Sequence, residues 1–216
     1  MQNMKLIILS PDTDIPHETT TANRLLDMGA HRFHIRKPHF TPSQYEQYIE
    51  QIHPQHRRRL VIHSSYELYS TLKLGGIHLN TAARHNKEIW NRLQGIPASA
   101  ISTSFHSWQE ITDNAYPYRY VFISPLFDSI SKSGYKAAID IQDISYTRKK
   151  AEKDHKFCPQ IVGLGGISPH NIPKLLAHGY DGAALLGTIW QSPDPVAAFV
   201  EIVMAINPGH EHPPAD

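Results

Sequence analysis

Residues 160–190, QIVGLGGISPHNIPKLLAHGYDGAALLGTIW, contain two short apolar runs separated by one amphipathic segment. The runs Gln160–Leu164 and Gly182–Leu186 are apolar almost throughout, which is typical of parallel strands covered on both faces. The segment Pro169–Ala177 has a helical pattern, and Gly179 follows it as a C-cap glycine does. This stretch therefore predicts a strand, a helix and a second parallel strand.

The same alternation runs through the whole chain. The predicted strands are Lys5–Leu9, Arg32–Arg36, Arg59–His63, Gly76–Leu79, Ala98–Thr103, Tyr120–Ser124, Gln160–Leu164 and Gly182–Leu186. The predicted helices are Thr20–Met28, Pro42–Ile52, Tyr66–Leu72, Lys87–Leu93, Trp108–Asn114, Asp140–Lys153, Pro169–Ala177 and Pro195–Ala205. The pairs Thr41-Pro42, Ser168-Pro169 and Asp194-Pro195 each predict an N-cap followed by proline at the first helical position.

Eight such units in order predict a single-domain α/β fold, the (β/α)₈ TIM barrel, over residues 1–206. The polar, Pro-rich residues 207–216 predict a flexible tail. The competing fold is an open Rossmann-like sheet. Ser10-Pro11-Asp12 follows the first strand in place of G-x-G-x-x-G, which argues against that sheet.

Composition limits the partners and the compartment. The 216 residues include 21 Lys and Arg against 20 Asp and Glu, so the net charge of +1 argues against nucleic acid or an anionic membrane as partner. The single cysteine, Cys158, cannot form an internal disulfide and fits a reducing compartment. The first apolar run is too short for a signal peptide or a membrane span, so we expect a cytoplasmic protein.

In a barrel, functional residues follow the strands, so polar residues at predicted strand ends are the candidates. They are His34, Arg36, Lys37, His63, Ser104, His106, Ser129, Ser131, Lys132, Gly165, Gly166, Gly187 and Thr188. The residues of this list from Ser129 to Thr188 suit the binding of an anion. Hydroxyls and a lysine can donate to phosphoryl oxygens, and Gly-Gly allows close backbone approach. Leu186–Ile189 can begin a short helix whose N-terminus favours negative charge. The alternative is that these glycines only make turns.

Histidines offer two further interpretations. His106 follows Ser104 beyond a strand and faces the same end as Arg36, which suits general acid–base catalysis. His34, His63 and His106 could in principle hold zinc. Neither a carboxylate partner nor H-x-H spacing supports that idea, so the sequence predicts no metal ligand.

Several motifs together resemble the thiamine-phosphate synthase/TenI family over nearly the whole chain. They are HIRKP, LVIHSS, GGIHLN, ISTSFHS, YVFISPLFDSISKSG, GLGGIS with Asn171, and GYDGAALLGTIW. The resemblance implies a (β/α)₈ barrel, commonly a homodimer, in thiamine biosynthesis. It implies that Arg36 contacts diphosphate and that Ser129, Ser131 and Lys132 match a Thr-x-Thr-Lys loop. It also implies that Gly166 and the Gly187 region hold a thiazole phosphate.

The chain departs from the synthase pattern where that family binds Mg²⁺. The family's Asn-Asp after strand three is His63-Ser64, and its Gly-Gln-x-Asp after strand four is Asn80-Thr81-Ala82-Ala83. Both Mg²⁺ carboxylates are therefore missing, and the strand-two Gln is His34.

These departures favour a TenI-like thiazole tautomerase, in which a histidine matching His106 moves the proton and no metal is needed. The first alternative is the synthase, which joins a pyrimidine methyl diphosphate to a thiazole phosphate with Mg²⁺ and releases diphosphate. The second alternative is a non-catalytic relative that binds the ligand. In every case the expected partner is a small phosphorylated thiazole.

Overall fold

Eight parallel strands close into a barrel in the computed structural model, which describes residues 4–128, 137–142 and 144–207. The strands are β1 (Lys5–Leu9), β2 (Arg32–Ile35), β3 (Leu60–Ile62), β4 (Gly76–Leu79), β5 (Ile101–Phe105), β6 (Tyr120–Ile123), β7 (Gln160–Leu164) and β8 (Gly182–Leu185). Each strand pairs with the next, and β1 pairs with β8 with Lys5 opposite Gly182. The predicted TIM barrel is confirmed.

Helices between the strands cover the outside of the barrel. They are α1 (Glu18–Asp27), α2 (Pro42–Glu50), α3 (Leu68–Thr71), α4 (Thr81–Arg84), α5 (Lys87–Arg92), α6 (Trp108–Asp113), α7 (Ile144–Lys153), α8 (Ile172–Ala177), α9 (Gly187–Trp190) and α10 (Pro195–Ile206). Short 3₁₀ turns cover Pro54–Arg59 and Ala98–Ala100. Within the described ranges, no helix is long and apolar enough to cross a membrane.

The predicted bounds of β1, β4 and β7 are confirmed, and the prediction for the fifth strand is displaced. The sequence predicted that strand to begin at Ala98. Instead, Pro97 starts a 3₁₀ turn in which the amide of Ala100 donates to the Pro97 carbonyl at 2.8 Å. The strand begins after this turn and continues through Ser104 to Phe105, so Ser104 belongs to the strand itself.

Two of the three predicted N-caps are confirmed. The Thr41 hydroxyl forms a capping box at the start of α2, and Asp194 accepts from two backbone amides at the start of α10. The prediction for Ser168-Pro169 is wrong. The amide oxygen of Asn171 accepts from the Ser168 amide at 2.8 Å, which closes a turn, and α8 begins only after Asn171.

The interior of the barrel contains both apolar and polar side chains. Alternation along the strands directs one apolar set inward: Ile7, Leu9, Tyr120, Phe122, Val162 and Ala184. A buried polar set accompanies it: Arg32, His34, His78 and Ser102. Branched aliphatic residues usually dominate this layer in TIM barrels. The polar side chains come from β2, β4 and β5, so this side of the barrel interior differs from the usual aliphatic filling.

Met4 and Asn207 line a common hollow with Lys5 and His31. Lys5 is the first residue of β1, and His31 directly precedes β2. Both ends of the described chain therefore lie at the amino end of the barrel, opposite the strand ends that carry the candidate site.

Candidate functional site

A cavity of about 320 Å³ lies at the carboxyl ends of the strands. Of the residues predicted from the sequence, its wall brings together Arg36, His63, Ser104, Gly165, Gly166, Gly187 and Thr188. His34, Lys37 and His106 are not in its wall. Ser129, Ser131 and Lys132 lie outside the described residues, so their predicted role stays a prediction.

The part of the wall after β7 requires glycine. Gly165 and Gly166 have φ values of 98° and 62°, in the left-handed region. A Cβ atom on Gly166 would lie 2.1 Å from the carbonyl oxygen of Asp128. The Asn171 side-chain Nδ2 donates to the Gly166 carbonyl at 2.9 Å and so fixes this peptide. The backbone is therefore held against the cavity with no side chain between.

The loops after β7 and β8 are tied together. The Thr188 hydroxyl donates a short hydrogen bond to the Ile167 carbonyl. Gly187 and Thr188 begin α9, where backbone N–H groups have no partner within the helix. The short helix expected from the sequence is thus present, and its first amides border the cavity beside the glycine loop.

Arg36 provides positive charge in the cavity wall. Its guanidinium forms a short ion pair with Asp12, and both side chains are more than two-fifths exposed. The Arg36 backbone amide donates to the Ser10 hydroxyl at 2.7 Å, which anchors the end of β2. Exposed ion pairs contribute little to stability, so Arg36 can exchange Asp12 for an anionic ligand at small cost.

Lys37, which the sequence placed among the phosphate-binding residues, is directed away from the cavity. Its buried ammonium donates to Glu18 at 2.7 Å and to the Thr13 carbonyl at 2.9 Å, and Asp14 lies 3.1 Å away. Burial raises the pKa of Glu18, although its hydrogen bonds from Lys37 and Tyr48 oppose that shift. The described geometry therefore gives Lys37 a structural partner, Glu18, in place of a ligand.

His106 is exposed and lies beside the cavity wall. Its Nδ1 is 3.0 Å from the carbonyl oxygen of Ser124, a residue of the wall. A carbonyl only accepts, so Nδ1 carries the hydrogen and Nε2 carries the lone pair in the neutral ring. The His106 amide donates to Glu110, which Arg84 also contacts at 2.6 Å. These contacts hold the loop of His106 and leave Nε2, among the described residues, without a hydrogen-bond partner.

Three histidines form an imidazole cluster at the cavity: His34 in β2, His63 directly after β3 and His78 in β4, of which His63 and His78 line the wall. His34 Nδ1 lies 3.0 Å from His63 Nε2, and the rings of His63 and His78 stack with centroids 4.5 Å apart. Burial lowers the pKa of His78 to about 3 and holds the pKa values of His34 and His63 well below the usual range. All three imidazoles are therefore neutral at pH 7.

Sequence reasoning missed His78 as a site residue. It lies in the cavity wall and hydrogen-bonds to Ser102 and Ser104, both at 2.9 Å. The alternation in Gly76–Leu79 directs it to the same side as the interior residues of β5, so the strand pattern contained the information. Phe122, also in the wall, was missed because nothing in an apolar strand distinguishes it. Ser124 was missed although it is a polar residue directly after β6 and so meets the strand-end criterion.

Comparison with known proteins identifies relatives over most of the chain. A family model described as thiamine monophosphate synthase matches residues 6–189. The chain is 26% identical over 155 residues to the thiamine biosynthesis bifunctional protein ThiED of Geobacter sulfurreducens, which covers 70% of this chain and 30% of that protein. It is 24% identical over 181 residues to the thiamine-phosphate synthase of Bacteroides fragilis, which covers 82% of this chain and 87% of that one.

A solved structure agrees with these sequence relatives. The thiamine phosphate pyrophosphorylase of Bacteroides thetaiotaomicron is 26% identical and superposes with a TM-score of 0.71, covering 96% of this chain and 100% of that chain. The thiamine phosphate pyrophosphorylase of Pyrococcus furiosus, 16% identical with a TM-score of 0.69, is similar in fold.

Proposed function

This chain belongs to the thiamine monophosphate synthase family, and we propose that it binds a phosphorylated thiazole and moves a proton on it, as a thiazole tautomerase. The observation that carries the proposal is the makeup of the cavity wall. Glycine and threonine backbone lies on one side and imidazoles on the other, and no described wall residue is Asp or Glu. Such a site can bind an anion and handle a proton, but it offers no carboxylate to a hard metal ion.

The phosphate is assigned to the loops after β7 and β8. The backbone amides near Gly166, Gly187 and Thr188 belong to wall residues, and glycine allows an anion to approach them. Arg36 adds one positive charge across the cavity. This arrangement agrees with the usual phosphate position in TIM barrels, at the loops after strands seven and eight.

Mg²⁺, which the synthase reaction of this family uses, does not fit the described residues. Mg²⁺ takes oxygen ligands in octahedral geometry, usually with one or two carboxylates. The two carboxylate positions are occupied by Ser64 and Ala83. The nearest wall residues are His63 and Asn80, and the Asn80 side chain accepts from the Ala83 amide to cap α4. Departure of diphosphate would therefore lack its usual charge stabilisation.

His106 is the acid–base group in this proposal. A general acid–base group must be accessible to the substrate and must hold a lone pair that can take up a proton. Burial lowers the pKa of His78 to about 3 and shifts the pKa of His63 in the same direction, so both are poor bases at neutral pH. His106 is exposed, with Nε2 unprotonated in the neutral ring and Nδ1 held by the Ser124 carbonyl. A tautomerase needs this one group to take a proton from one ring position and return it to another, with no leaving group.

The test uses purified protein with each substrate set, with and without added Mg²⁺. The proposal expects isomerisation of the thiazole carboxylate phosphate at equal rates in both conditions. It also expects a loss of about 10²–10⁴-fold in His106→Asn, the usual contribution of a general acid–base group. His85→Asn is the matched control, because His85 is exposed and lies outside the cavity wall. An unchanged rate in His106→Asn contradicts the assignment.

The second candidate is the synthase, and the names of the relatives favour it. In that reaction Arg36 would contact the diphosphate from the mouth of the cavity. Thiamine phosphate that forms only when Mg²⁺ is added would establish the synthase and overturn the tautomerase. Tight product binding with neither activity would instead identify a non-catalytic binder.

A further inference from the structure

The imidazole cluster has the composition of a metal site. One ring nitrogen from each of His34, His63 and His78 lies within 4.8 Å of the other two. The observed 3.0 Å between His34 Nδ1 and His63 Nε2 is close to the roughly 3.4 Å between two nitrogens on a tetrahedral zinc ion, given Zn–N distances of about 2.0–2.1 Å. Three separate strands supply the histidines, so the barrel fixes their positions.

Hydrogen bonds on both ring nitrogens hold His78 in place. Its Nδ1 lies 2.9 Å from the Ser102 hydroxyl and its Nε2 lies 2.9 Å from the Ser104 hydroxyl. In the tautomer with the hydrogen on Nδ1, Ser102 accepts from Nδ1 while it donates to the Ile77 carbonyl at 3.1 Å, and the lone pair of His78 is on Nε2, on the Ser104 side.

His34 also has partners on both ring nitrogens. Its Nε2 lies 2.7 Å from the Tyr120 hydroxyl oxygen, and its Nδ1 faces His63 Nε2. In the tautomer with the hydrogen on Nε2, the Tyr120 oxygen accepts that hydrogen and Nδ1 presents its lone pair toward His63. Metal-binding histidines in proteins are typically oriented in this way, by a partner on the other ring nitrogen.

We infer that His34, His63 and His78 bind one zinc-like divalent cation, with a remaining coordination position open to the cavity. Imidazole suits Zn²⁺, Co²⁺, Ni²⁺ and Cu²⁺ and does not suit Mg²⁺. Three histidines with one open position are typical of catalytic zinc. The positive charge of Arg36 repels a nearby cation, and its ion pair with Asp12 weakens that repulsion. The inference rests on the imidazole cluster alone and not on the proposed function.

The test is titration of the metal-free full chain with Co²⁺ and with Zn²⁺, without any substrate. We expect one ion per chain by calorimetry, and intense visible absorption of the Co²⁺ form that indicates four-coordinate geometry. His63→Asn should weaken binding by more than about 100-fold, because even outer-shell changes cost about 10–100-fold. His78→Asn should do the same, and circular dichroism shows whether each variant is folded.

The control separates this site from a second group, formed by the exposed Asp27 and His53 with the buried His56, which also brings three potential ligands together. His53→Asn should leave the Co²⁺ spectrum and the affinity unchanged. The inference is overturned if the native chain gives no four-coordinate spectrum, or if binding is lost in His53→Asn and kept in a folded His63→Asn. Because the readout is binding of the metal alone, either result leaves the tautomerase assay to be judged separately.

Discussion

Gly166 illustrates how much a single position in the cavity wall depends on the absence of a side chain. Gly166→Ala should be strongly destabilising and should weaken phosphate-ligand binding, because its Cβ would meet the Asp128 carbonyl at 2.1 Å. Gly29→Ala is the matched control. Gly29 also has positive φ, 101°, but nothing lies within 4 Å of its Cβ position, so only a backbone cost of about 1–2 kcal/mol is expected. Urea denaturation of both variants measures the difference, and equal losses would contradict the steric argument.

Individual residues show where sequence reasoning succeeds and where it stops. Arg36 and Gly166 could be predicted, because strand ends in a barrel all face one rim. Lys37 could not be separated from them, because its partner Glu18 belongs to a helix 19 residues earlier and that pairing is a property of the fold. His78 was recoverable from alternation, whereas its tautomer depends on Ser102 of the neighbouring strand.

At the scale of elements, the N-cap of α10 makes a quantitative prediction. Asp194→Ala should cost about 0.5–2 kcal/mol of stability, because Asp194 accepts from the Val196 and Ala197 amides, both at 3.0 Å. Ser168→Ala should change stability by less than about 0.5 kcal/mol, since Ser168 precedes a turn and not a helix. Thermal or urea unfolding decides this, and a larger loss in the Ser168 variant would be the contrary result.

Ser168 and Asp194 also show how far the start of a helix can be predicted from sequence. Ser-Pro and Asp-Pro have equal local preferences for a helix start, so the sequence cannot rank them. The side chain of Asn171, three residues further on, decides the outcome by closing a turn on the Ser168 amide. Apolar strands were easier to place, because a run such as β7 has no competing local structure.

At the scale of the whole molecule, the pH dependence of stability has a predictable sign near His31. Burial lowers its pKa to about 4, with further lowering from Arg32, Lys5, Arg119 and Arg59. As pH falls below about 6.5, the unfolded chain takes up this proton before the folded chain does, so the free energy of unfolding falls between about pH 6.5 and 4.

His31→Gln removes that contribution and should give a shallower dependence over this pH window. Urea denaturation at several pH values compares the two proteins, and the other buried histidines contribute equally to both. Identical slopes for His31→Gln and the native chain would show that His31 does not contribute to acid sensitivity.

The fold as a whole was the most predictable level, because eight repeats of one pattern leave few alternatives. The chemistry of the interior was not predictable at that level, since the barrel pattern specifies which positions face inward but not which polar groups meet there. The imidazole cluster is such a meeting, because the register of the neighbouring strands β2, β3 and β4 brings its three histidines together.

The hollow shared by Met4 and Asn207 has a practical consequence for experiments on this protein. Because both sit at the amino face, a tether joined beyond either residue holds the barrel with its ligand entrance turned toward bulk solution. Biosensor chips or resins loaded in this orientation leave small molecules unhindered access. Because Met4 and Asn207 line one hollow, we also expect circular permutation to be tolerated, with a short linker joining these two positions and new termini in another loop of the amino face.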